Sequence, residues 1–253
     1  MTIDVLRSAK IAGRAIVDIA NWREILPRAA EGQPVTEIRL RRGGITVTAR
    51  PETALWPHFS DIWYHRTYTK HCEIPSNSVV VDIGANVGVF SLFASRAARL
   101  IYALEPSSSN FSLLASNTSR SKNIIPLNLA CSAADGQAAL DLSKDPVSFS
   151  LVTNGISGPR EIVDVVRLET LFEQYKIRHC DFLKLDCEGC EFEIIMGSDA
   201  ALMSRISRIV MEYHDHLSKE FSHRDLVQKL TTFGFSPVVY NSNGTYGMIA
   251  ATR

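Results

Sequence analysis

A run of valines followed by an acidic residue and two glycines constrains the fold of this chain more than any other feature. Val79-Val80-Val81 lead directly into Asp82-Ile83-Gly84-Ala85-Asn86-Val87-Gly88. Such an uninterrupted apolar run is typical of a strand buried on both faces of a parallel sheet. Glycines after the strand allow a sharp turn close to a ligand, and a helix is expected over residues 88–98. The sequence thus predicts the first strand–turn–helix unit of an α/β fold.

Strand-like and helix-like segments continue to alternate after this unit. Further apolar strands are expected at 100–104, 124–129, 182–185, 209–213, 238–240 and 248–251. The pattern predicts an α/β fold with a mostly parallel, doubly wound sheet and an antiparallel last strand, because only a short Asn243-Gly244 turn joins the final two strands. We expect residues 1–74 to form an N-terminal helical and hairpin appendage packed on the core, which comprises 75–253.

Charge and cysteine usage exclude several classes of protein. The chain has 27 basic and 27 acidic residues, so no overall positive field attracts nucleic acid or an anionic membrane. Its five cysteines are an odd number and lie mostly in apolar runs, which favours reduced thiols and a cytoplasmic location. Charged residues interrupt the N-terminal segment, which therefore does not resemble a signal peptide.

The glycine-containing turn indicates the kind of ligand that binds beside it. Its pattern is Asp-x-Gly-x-x-x-Gly, with Asn86 where a dinucleotide fingerprint requires a glycine. An acidic residue at the strand end, Asp82, suits a ligand that carries an amine, such as the amino acid part of S-adenosylmethionine. Glu105 ends the next strand, where a carboxylate can accept hydrogen bonds from both hydroxyls of a ribose.

A second group of charged residues follows two later strands. Lys184, Asp186 and Glu188 alternate along one strand, and Glu212 and His214 alternate along the next. If the two strands are parallel neighbours in matching register, Lys184 pairs with Glu212 inside the sheet. In the same register Asp186 pairs with His214 at the edge of the sheet. We therefore expect Lys184 and Glu212 to be structural and the other three to face a site.

Taken together, these motifs resemble the FkbM-type methyltransferase family. The resemblance rests on residues 79–88, on Glu105-Pro106, on 184–189 and on Glu212-x-His214. It covers roughly residues 40–240 and implies a Rossmann-like class I methyltransferase that uses S-adenosyl-L-methionine. Members of this family usually methylate a hydroxyl on a sugar, polyketide or other small secondary metabolite, so a small-molecule acceptor is expected. Cys187 and Cys190 depart from the valine and alanine more common there.

The resemblance also assigns roles to individual residues. Residues assigned to cofactor binding, some through the backbone alone, are Asp82, Gly84, Asn86, Gly88, Glu105 and Ala130. The catalytic candidates are His214 as the general base, Asp186 to hold its ring, and Glu188 to position the acceptor or share the proton. His214 also has a plain structural interpretation, as a strand-end histidine with one hydrogen bond. We assign no metal ligand, although His214-Asp215-His216 with Asp186 leaves a divalent metal such as Mg²⁺ open.

Two alternative functions are compatible with the same fold. The first is a nicotinamide-dependent oxidoreductase, which the missing middle glycine disfavours. The second is a non-catalytic S-adenosylmethionine-binding protein, which the intact set of acidic residues disfavours. The sequence leaves open which acceptor is methylated and whether the methyl group goes to oxygen or to nitrogen, because a fold does not determine a substrate. It also leaves the oligomeric state open.

Overall fold

The computed structural model describes residues 2–142, 151–152, 159–218 and 220–253. The α-helices in these ranges, in chain order, are α1 Thr2–Asp18, α2 Trp22–Ala30, α3 Leu55–Ser60, α4 Val89–Ala94, α5 Ser108–Thr118, α6 Leu168–Gln174, α7 Cys190–Gly197, α8 Ala200–Met203 and α9 His223–Thr232. A π-helical turn, Asp61–His65, follows α3 directly. Short 3₁₀ turns occur at Pro51–Thr53, Thr67–Thr69 and Asp215–Leu217.

The strands are β1 Glu37–Arg39, β2 Thr46–Thr48, β3 Val79–Ile83, β4 Leu100–Leu104, β5 Ile124–Leu127, β6 Ala130–Ser132, β7 Gly136–Asp141, β8 Leu151–Val152, β9 Arg160–Arg167, β10 Phe182–Leu185, β11 Arg208–His214, β12 Ser236–Tyr240 and β13 Tyr246–Thr252. The central sheet has the order β12-β13-β11-β10-β3-β4-β5. Strands β11, β10, β3, β4 and β5 are parallel to one another, whereas β13 is antiparallel to both β11 and β12. The α/β fold with a mostly parallel sheet and an antiparallel last strand is therefore as predicted.

Strands β6, β7, β8 and β9 form a separate sheet beside the central one, in the order β6-β9-β7-β8. Strand β6 begins three residues after β5 ends, so it carries the chain from the edge of the central sheet into the second sheet. A small apolar cluster, which includes Leu140, Val163 and Val165, packs within this second sheet.

The N-terminal appendage shares a hydrophobic core with the central sheet. The predicted hairpin is present, with Ile38 opposite Val47 in an antiparallel pair. One continuous buried cluster joins Ile19, Leu55 and Phe59 of the appendage to Val80 and Phe182 of the sheet. A second cluster, on the other face of the sheet, packs α6, α7 and α9 against β3, β10 and β11. Apolar area is thus buried on both faces, which is why the central strands are apolar throughout.

Candidate active site

A cavity of about 480 Å³ opens at the carboxyl ends of the parallel strands. Residues that follow β3, β4 and β10 line its floor, and Glu212 of β11 lies at one end. Open α/β sheets bind their ligands at this edge, and the volume lies within the ~300–1,000 Å³ typical of small-molecule sites. Of the predicted site residues, the lining includes Gly84, Asn86, Glu105, Ala130, Asp186 and Glu188.

The turn after β3 is fixed by packing against both neighbouring strands. Gly84 has a φ of +77°, and a Cβ built on it would lie 1.8 Å from the carbonyl oxygen of Asp186. On the other side, the backbone N–H groups of Gly84 and Ala85 both donate to the carbonyl oxygen of Leu104. Only glycine fits at position 84, since the left-handed backbone and the neighbouring carbonyl both exclude a side chain. Glycine is therefore required at position 84 because of the surrounding backbone of the protein itself.

Glu105 is buried at the end of β4 with its carboxylate against this turn. Its Oε2 accepts a hydrogen bond from the backbone N–H of Asn86 at 2.9 Å, and its Oε1 accepts one from Ser107 at 3.0 Å. Burial raises the pKa of Glu105 to about 7, although these hydrogen bonds and the more distant Lys184 oppose the shift. A buried carboxylate with lone pairs to spare is suited to accept hydrogen bonds from a ligand diol.

Asp82 lies behind the cavity wall, which departs from the role predicted for it. Its side chain is fully buried and is absent from the described lining. Oδ1 lies 3.1 Å from Nζ of Lys184, and Oδ2 accepts a hydrogen bond from the Ser91 hydroxyl at 2.6 Å. The ion pair with Lys184 and the hydrogen bond from Ser91 anchor this carboxylate inside the fold, and direct contact of Asp82 with the cofactor stays a prediction. Gly88 is likewise buried by packing, since a Cβ there would meet Leu114 at 2.9 Å.

The predicted pairing of Lys184 with Glu212 is wrong. Strands β10 and β11 are parallel neighbours as expected, but Lys184 lies opposite Val210 on one side and opposite Asp82 on the other. The Lys184 nitrogen contacts Asp82, lies 3.6 Å from Asp186 Oδ2, and donates to the carbonyl oxygen of Gly84 at 3.0 Å. Burial alone lowers the pKa of Lys184, but the two carboxylates outweigh it and raise that pKa. The charge of Lys184 is therefore neutralised by Asp82 of β3 and by Asp186 just after β10, and not by the predicted Glu212 of β11.

Asp186 has a partner that the sequence interpretation did not include. The hydroxyl of Tyr68, in the appendage, donates to Asp186 Oδ2 at 2.5 Å. Burial by itself raises the pKa of Asp186, but the charge of Lys184 and the Tyr68 hydrogen bond hold it below its usual value. Asp186 is thus an ionised carboxylate at neutral pH, fixed in the wall of the cavity from two sides.

His214 is held by Glu191 and not, as predicted, by Asp186. The His214 Nε2 lies 3.6 Å from Glu188 Oε2, in the turn that follows β10. On the other side of the ring, Glu191 Oε1 lies 3.1 Å from Nδ1 and also accepts the backbone N–H of His214. Glu191 is fully buried in the first turn of α7. A third carboxylate, that of Glu212, lies 3.9 Å from Nε2.

These carboxylates change the protonation expected for His214. Burial lowers its pKa, but hydrogen bonding and the charge of Glu191, followed by Glu188 and Glu212, raise the pKa to about 9. His214 is therefore a charged imidazolium at neutral pH, which opposes the predicted role as a general base. The pKa of Glu212 is raised as well: burial, followed by the charge of Asp186, raises it to about 8. Glu212, for which the sequence predicted a structural role, therefore lies in the cavity with a pKa raised toward the neutral range.

No metal-binding cluster is present among the residues that the structure describes. The metal site left open by the sequence involved Asp215, but its carboxylate is turned away and contacts His223, with 2.6 Å between Oδ2 and Nδ1. His214, Asp215, His216 and Asp186 therefore do not come together around one point as metal ligands would.

One wall of the cavity comes from the appendage. The residues that form this N-terminal wall are Thr53, Leu55, His58, Asp61, Ile62, Thr67 and Tyr68. They lie on α3 and on the flanking 3₁₀ and π-helical turns. The sequence offered only a weak signal for them, an enrichment of aromatic residues and histidine at 56–71 that is equally typical of core packing.

The sheet order, with a buried carboxylate ending β4 and a polar cluster ending β10, defines the Rossmann-like class I methyltransferase fold. The family model described as the methyltransferase FkbM domain matches residues 82–237, more than half of the chain. The chain therefore belongs to the FkbM methyltransferase family, which confirms the predicted family and makes S-adenosylmethionine its cofactor. No helix in the described part of the chain combines the length and apolarity that crossing a membrane requires.

Several characterised proteins are similar to this chain over part of their length. The 31-O-demethyl-FK506 methyltransferase FkbM of Streptomyces tacrolimicus is 28% identical over 192 residues, which cover 62% of this chain and 74% of that protein. The hexuronic acid methyltransferase AglP of Haloferax volcanii is 25% identical over 143 residues, 56% of this chain and 58% of AglP. The AMB antimetabolite synthetase AmbE of Pseudomonas aeruginosa is 24% identical over a match that covers 62% of this chain but only 9% of AmbE.

A solved structure supports the fold at lower sequence identity. The crystal structure of methyltransferase FkbM from Methylobacillus flagellatus superimposes with a TM-score of 0.50. The sequences are 12% identical, and the match covers 77% of this chain and 48% of that one. At this level of identity the likeness shows a common fold and nothing about the acceptor.

Proposed function

We propose that this chain transfers a methyl group from S-adenosylmethionine to a hydroxyl group of a small-molecule acceptor. The observation that carries the proposal is that two chemically different groups of residues line one cavity. Glu105 lies beside the turn after β3, and Asp186, Glu188 and Glu212 come from the ends of β10 and β11. The first group, the cofactor end, suits a nucleoside, and the second, the acceptor end, suits a group that loses a proton.

The cofactor end fits the chemistry of S-adenosylmethionine. Glu105 presents a buried carboxylate for the ribose hydroxyls, and the backbone of Gly84–Asn86 and the buried Ala130 line the space beside it. When bound, the cofactor supplies a methyl group on a positively charged sulfur. The negative charge of Asp186 and the other carboxylates at the acceptor end favours a cation in the same cavity.

The acceptor end can remove a proton from a hydroxyl group. Methyl transfer forms a bond between the acceptor oxygen and the methyl carbon while the bond from that carbon to sulfur breaks. The proton of the hydroxyl must leave at the same time, and we assign it to the ionised form of Glu212, because His214 is already protonated. Glu188 and His214 then position the acceptor and the carboxylate, and the N-terminal wall excludes water.

The names of the relatives support a hydroxylated acceptor. One relative is named for a demethylated FK506 and another for a hexuronic acid. We propose a polyketide, a sugar or another hydroxylated metabolite as the acceptor class. The free cysteines of the described residues support a reducing location such as the cytoplasm.

Calorimetric titration separates this function from the alternatives. S-adenosylhomocysteine is expected to bind and NAD⁺ is not, and Glu105→Ala is expected to weaken the binding by about 1–3 kcal/mol, the scale of lost charge-assisted hydrogen bonds. Glu105→Gln keeps the shape of the side chain and checks that the turn has not collapsed, and Glu173→Gln, exposed on α6, is the matched control. Binding of NAD⁺ instead, or unchanged affinity in both Glu105 variants, would refute the assignment.

A screen for methyl transfer then separates an enzyme from a protein that only binds the cofactor. Hydroxylated sugars and macrolides are incubated with methyl-labelled S-adenosylmethionine, and labelled product is measured. The expected result is transfer that Glu212→Gln abolishes and Glu173→Gln preserves. Equal transfer by the Glu212→Gln variant would exclude Glu212 as the proton acceptor.

A further inference from the structure

Tyr246 places an exposed aromatic ring at the candidate active site. The residue begins β13 and is 45% exposed. Among the described residues, it is the one large exposed apolar side chain that also belongs to the lining of the cavity. Exposed apolar groups at a cavity mark ligand-binding surfaces, whereas single ones elsewhere on a protein need no explanation. The ring of Tyr246 is thus a candidate contact for a ligand.

The alternation of side chains along β13 shows on which side of the sheet the Tyr246 ring lies. Successive side chains of a strand point to opposite faces. A Cβ built on Gly247 would meet the hydroxyl oxygen of Tyr213 at 2.7 Å, and Tyr213 packs on the face that α7 and α9 cover. Met248 packs in the other cluster, which the appendage shares. Tyr246 is two residues from Met248, so its ring lies on the side of the sheet that the N-terminal wall covers.

The register of β13 against β11 places Tyr246 beside the acceptor end of the cavity. Tyr246 lies opposite His214, and Met248 lies opposite Glu212. Side chains directly opposite each other in an antiparallel pair share a face, with Cβ atoms about 4.5–5.5 Å apart, and diagonal neighbours are within reach of an aromatic side chain. The Tyr246 ring therefore lies next to His214 and within reach of the space around the Glu212 carboxylate.

The turn that precedes β13 holds Tyr246 in place before any ligand binds. Asn243 Oδ1 accepts hydrogen bonds from the backbone N–H groups of Thr245 and Tyr246, at 2.9 and 3.0 Å. The Ser242 hydroxyl is hydrogen-bonded to the Tyr213 hydroxyl at 2.6 Å, which ties the turn to β11. A group that is already ordered loses less conformational entropy when it binds a ligand. Tyr246 is therefore suited to serve as a fixed platform.

Polar groups around this part of the lining indicate what rests on the platform. Asp61, Glu188, Glu212 and Asn241 all line the cavity, and each offers oxygen atoms that accept hydrogen bonds. A pyranose carries hydroxyl donors around its rim and apolar C–H groups on its faces, and the C–H groups pack well on the amphipathic ring of a tyrosine. A phenol would bring a single hydroxyl donor to the same set of oxygens. The combination of one aromatic ring with several carboxylates therefore favours a sugar.

We infer that Tyr246 is an acceptor-binding residue, with its ring packed against the C–H face of a pyranose that carries the hydroxyl group to be methylated. This inference rests on the proposed function, because it names a binding residue and the acceptor class of the same site. Tyr246 lies outside residues 82–237, which match the family model.

Glycoside binding to the protein loaded with S-adenosylhomocysteine tests the inference. The probes are methyl glycosides of neutral hexoses, hexosamines and hexuronates, with catechol as a flat aromatic comparison. Saturation-transfer NMR detects binding, and calorimetry measures the affinity. Tyr246→Leu keeps a large apolar side chain without the ring, and it is expected to weaken glycoside binding by about three- to tenfold. Tyr246→Phe keeps the ring and is expected to bind within about twofold of the wild type.

Two measurements separate a ligand contact from a general disturbance of the sheet. The affinity for S-adenosylhomocysteine is expected to be the same in the wild type and in both Tyr246 variants. Val238→Ala alters another exposed apolar side chain, on β12 and outside the described lining, and is expected to bind glycosides as the wild type does. A loss of glycoside affinity in Val238→Ala equal to that in Tyr246→Leu would overturn the inference.

The remaining outcomes distinguish failure of this inference from failure of the proposed function. Unchanged glycoside affinity in Tyr246→Leu, or an equal loss in Tyr246→Phe and Tyr246→Leu, would overturn the role of the ring. Binding of catechol without any glycoside, or of no probe at all, would overturn the acceptor class. In these cases S-adenosylhomocysteine still binds and the proposed cofactor site stands. Failure of the wild-type protein to bind S-adenosylhomocysteine would overturn the proposed function and this inference together.

Discussion

Lys184→Met is expected to destabilise the fold strongly, because two carboxylates depend on this one ammonium group. Lys184 is 2% exposed, and its Nζ lies 3.1 Å from Asp82 and 3.6 Å from Asp186. Methionine fills most of the volume but leaves Asp82 fully buried, with the Ser91 hydroxyl as its remaining hydrogen-bond donor. Breaking a buried ion pair in this way costs about 3–5 kcal/mol. That is a large fraction of the ~5–15 kcal/mol by which domains are stable.

Urea unfolding monitored by circular dichroism measures this loss, and a double-mutant cycle identifies the partner. Asp82→Asn combined with Lys184→Met is expected to be less destabilised than the sum of the single variants, by more than about 1 kcal/mol. Glu212→Gln combined with Lys184→Met is expected to be nearly additive, because no Lys184–Glu212 contact is present among the described residues. A loss below about 1 kcal/mol for Lys184→Met, or coupling to Glu212 in place of Asp82, would refute the reasoning.

Gly84, Glu105 and His214 provide three further tests of the site. Gly84→Ala is expected to abolish folding or cofactor binding, because its Cβ would lie 1.8 Å from the carbonyl oxygen of Asp186; a soluble variant with unchanged calorimetric affinity would contradict the described turn. Since a diol binds the ionised carboxylate of Glu105, whose pKa is about 7, affinity for S-adenosylhomocysteine is expected to rise between pH 6 and 8 and then level off. The Glu105→Gln variant serves as the control for that titration and should show no such rise. His214→Ala is expected to lower the free energy of unfolding by roughly 3 kcal/mol at pH 7, because the buried Glu191 loses the charged ring and keeps only its backbone N–H donors and the Cys187 thiol. The pKa of His214 is raised on folding, so its contribution is complete below about 6.5 and is lost as the pH rises through about 9. The difference in urea stability between wild type and His214→Ala should therefore shrink over that interval, and a difference independent of pH would argue against an imidazolium.

The sheet could be predicted from the sequence because its central strands are buried on both faces. Strands β4 and β10 begin and end at the predicted residues, since each is a short apolar run between polar segments. The glycine turn after β3 and the carboxylate after β4 were also evident, because each follows directly from its strand. Features that depend only on local sequence could thus be predicted.

The pairing of charged groups could not be predicted in the same way. Lys184 has a neighbouring strand on each side, and alternation along β10 does not decide which of them supplies a carboxylate. The two-residue offset between the expected and the observed register of β11 moved Glu212 from the sheet interior to the cavity. Glu191 was missed because it lies on a helix, and Tyr68 was missed because it is 118 positions from Asp186 along the chain. Both contacts are tertiary and have no local signature.

A Cβ built on Gly84 would lie 1.8 Å from the carbonyl oxygen of Asp186. This close approach limits which parts of the cavity can be varied by mutation. The ends of β3 and β10 are in close contact, so most substitutions in one strand end disturb the other. Natural or laboratory selection will therefore remove most of these variants. The N-terminal wall belongs to a different stretch of chain and meets these strand ends through few polar contacts. Libraries confined to the wall positions His58, Asp61, Ile62 and Thr67 can therefore vary the lining of the cavity while the ends of β3 and β10 stay constant.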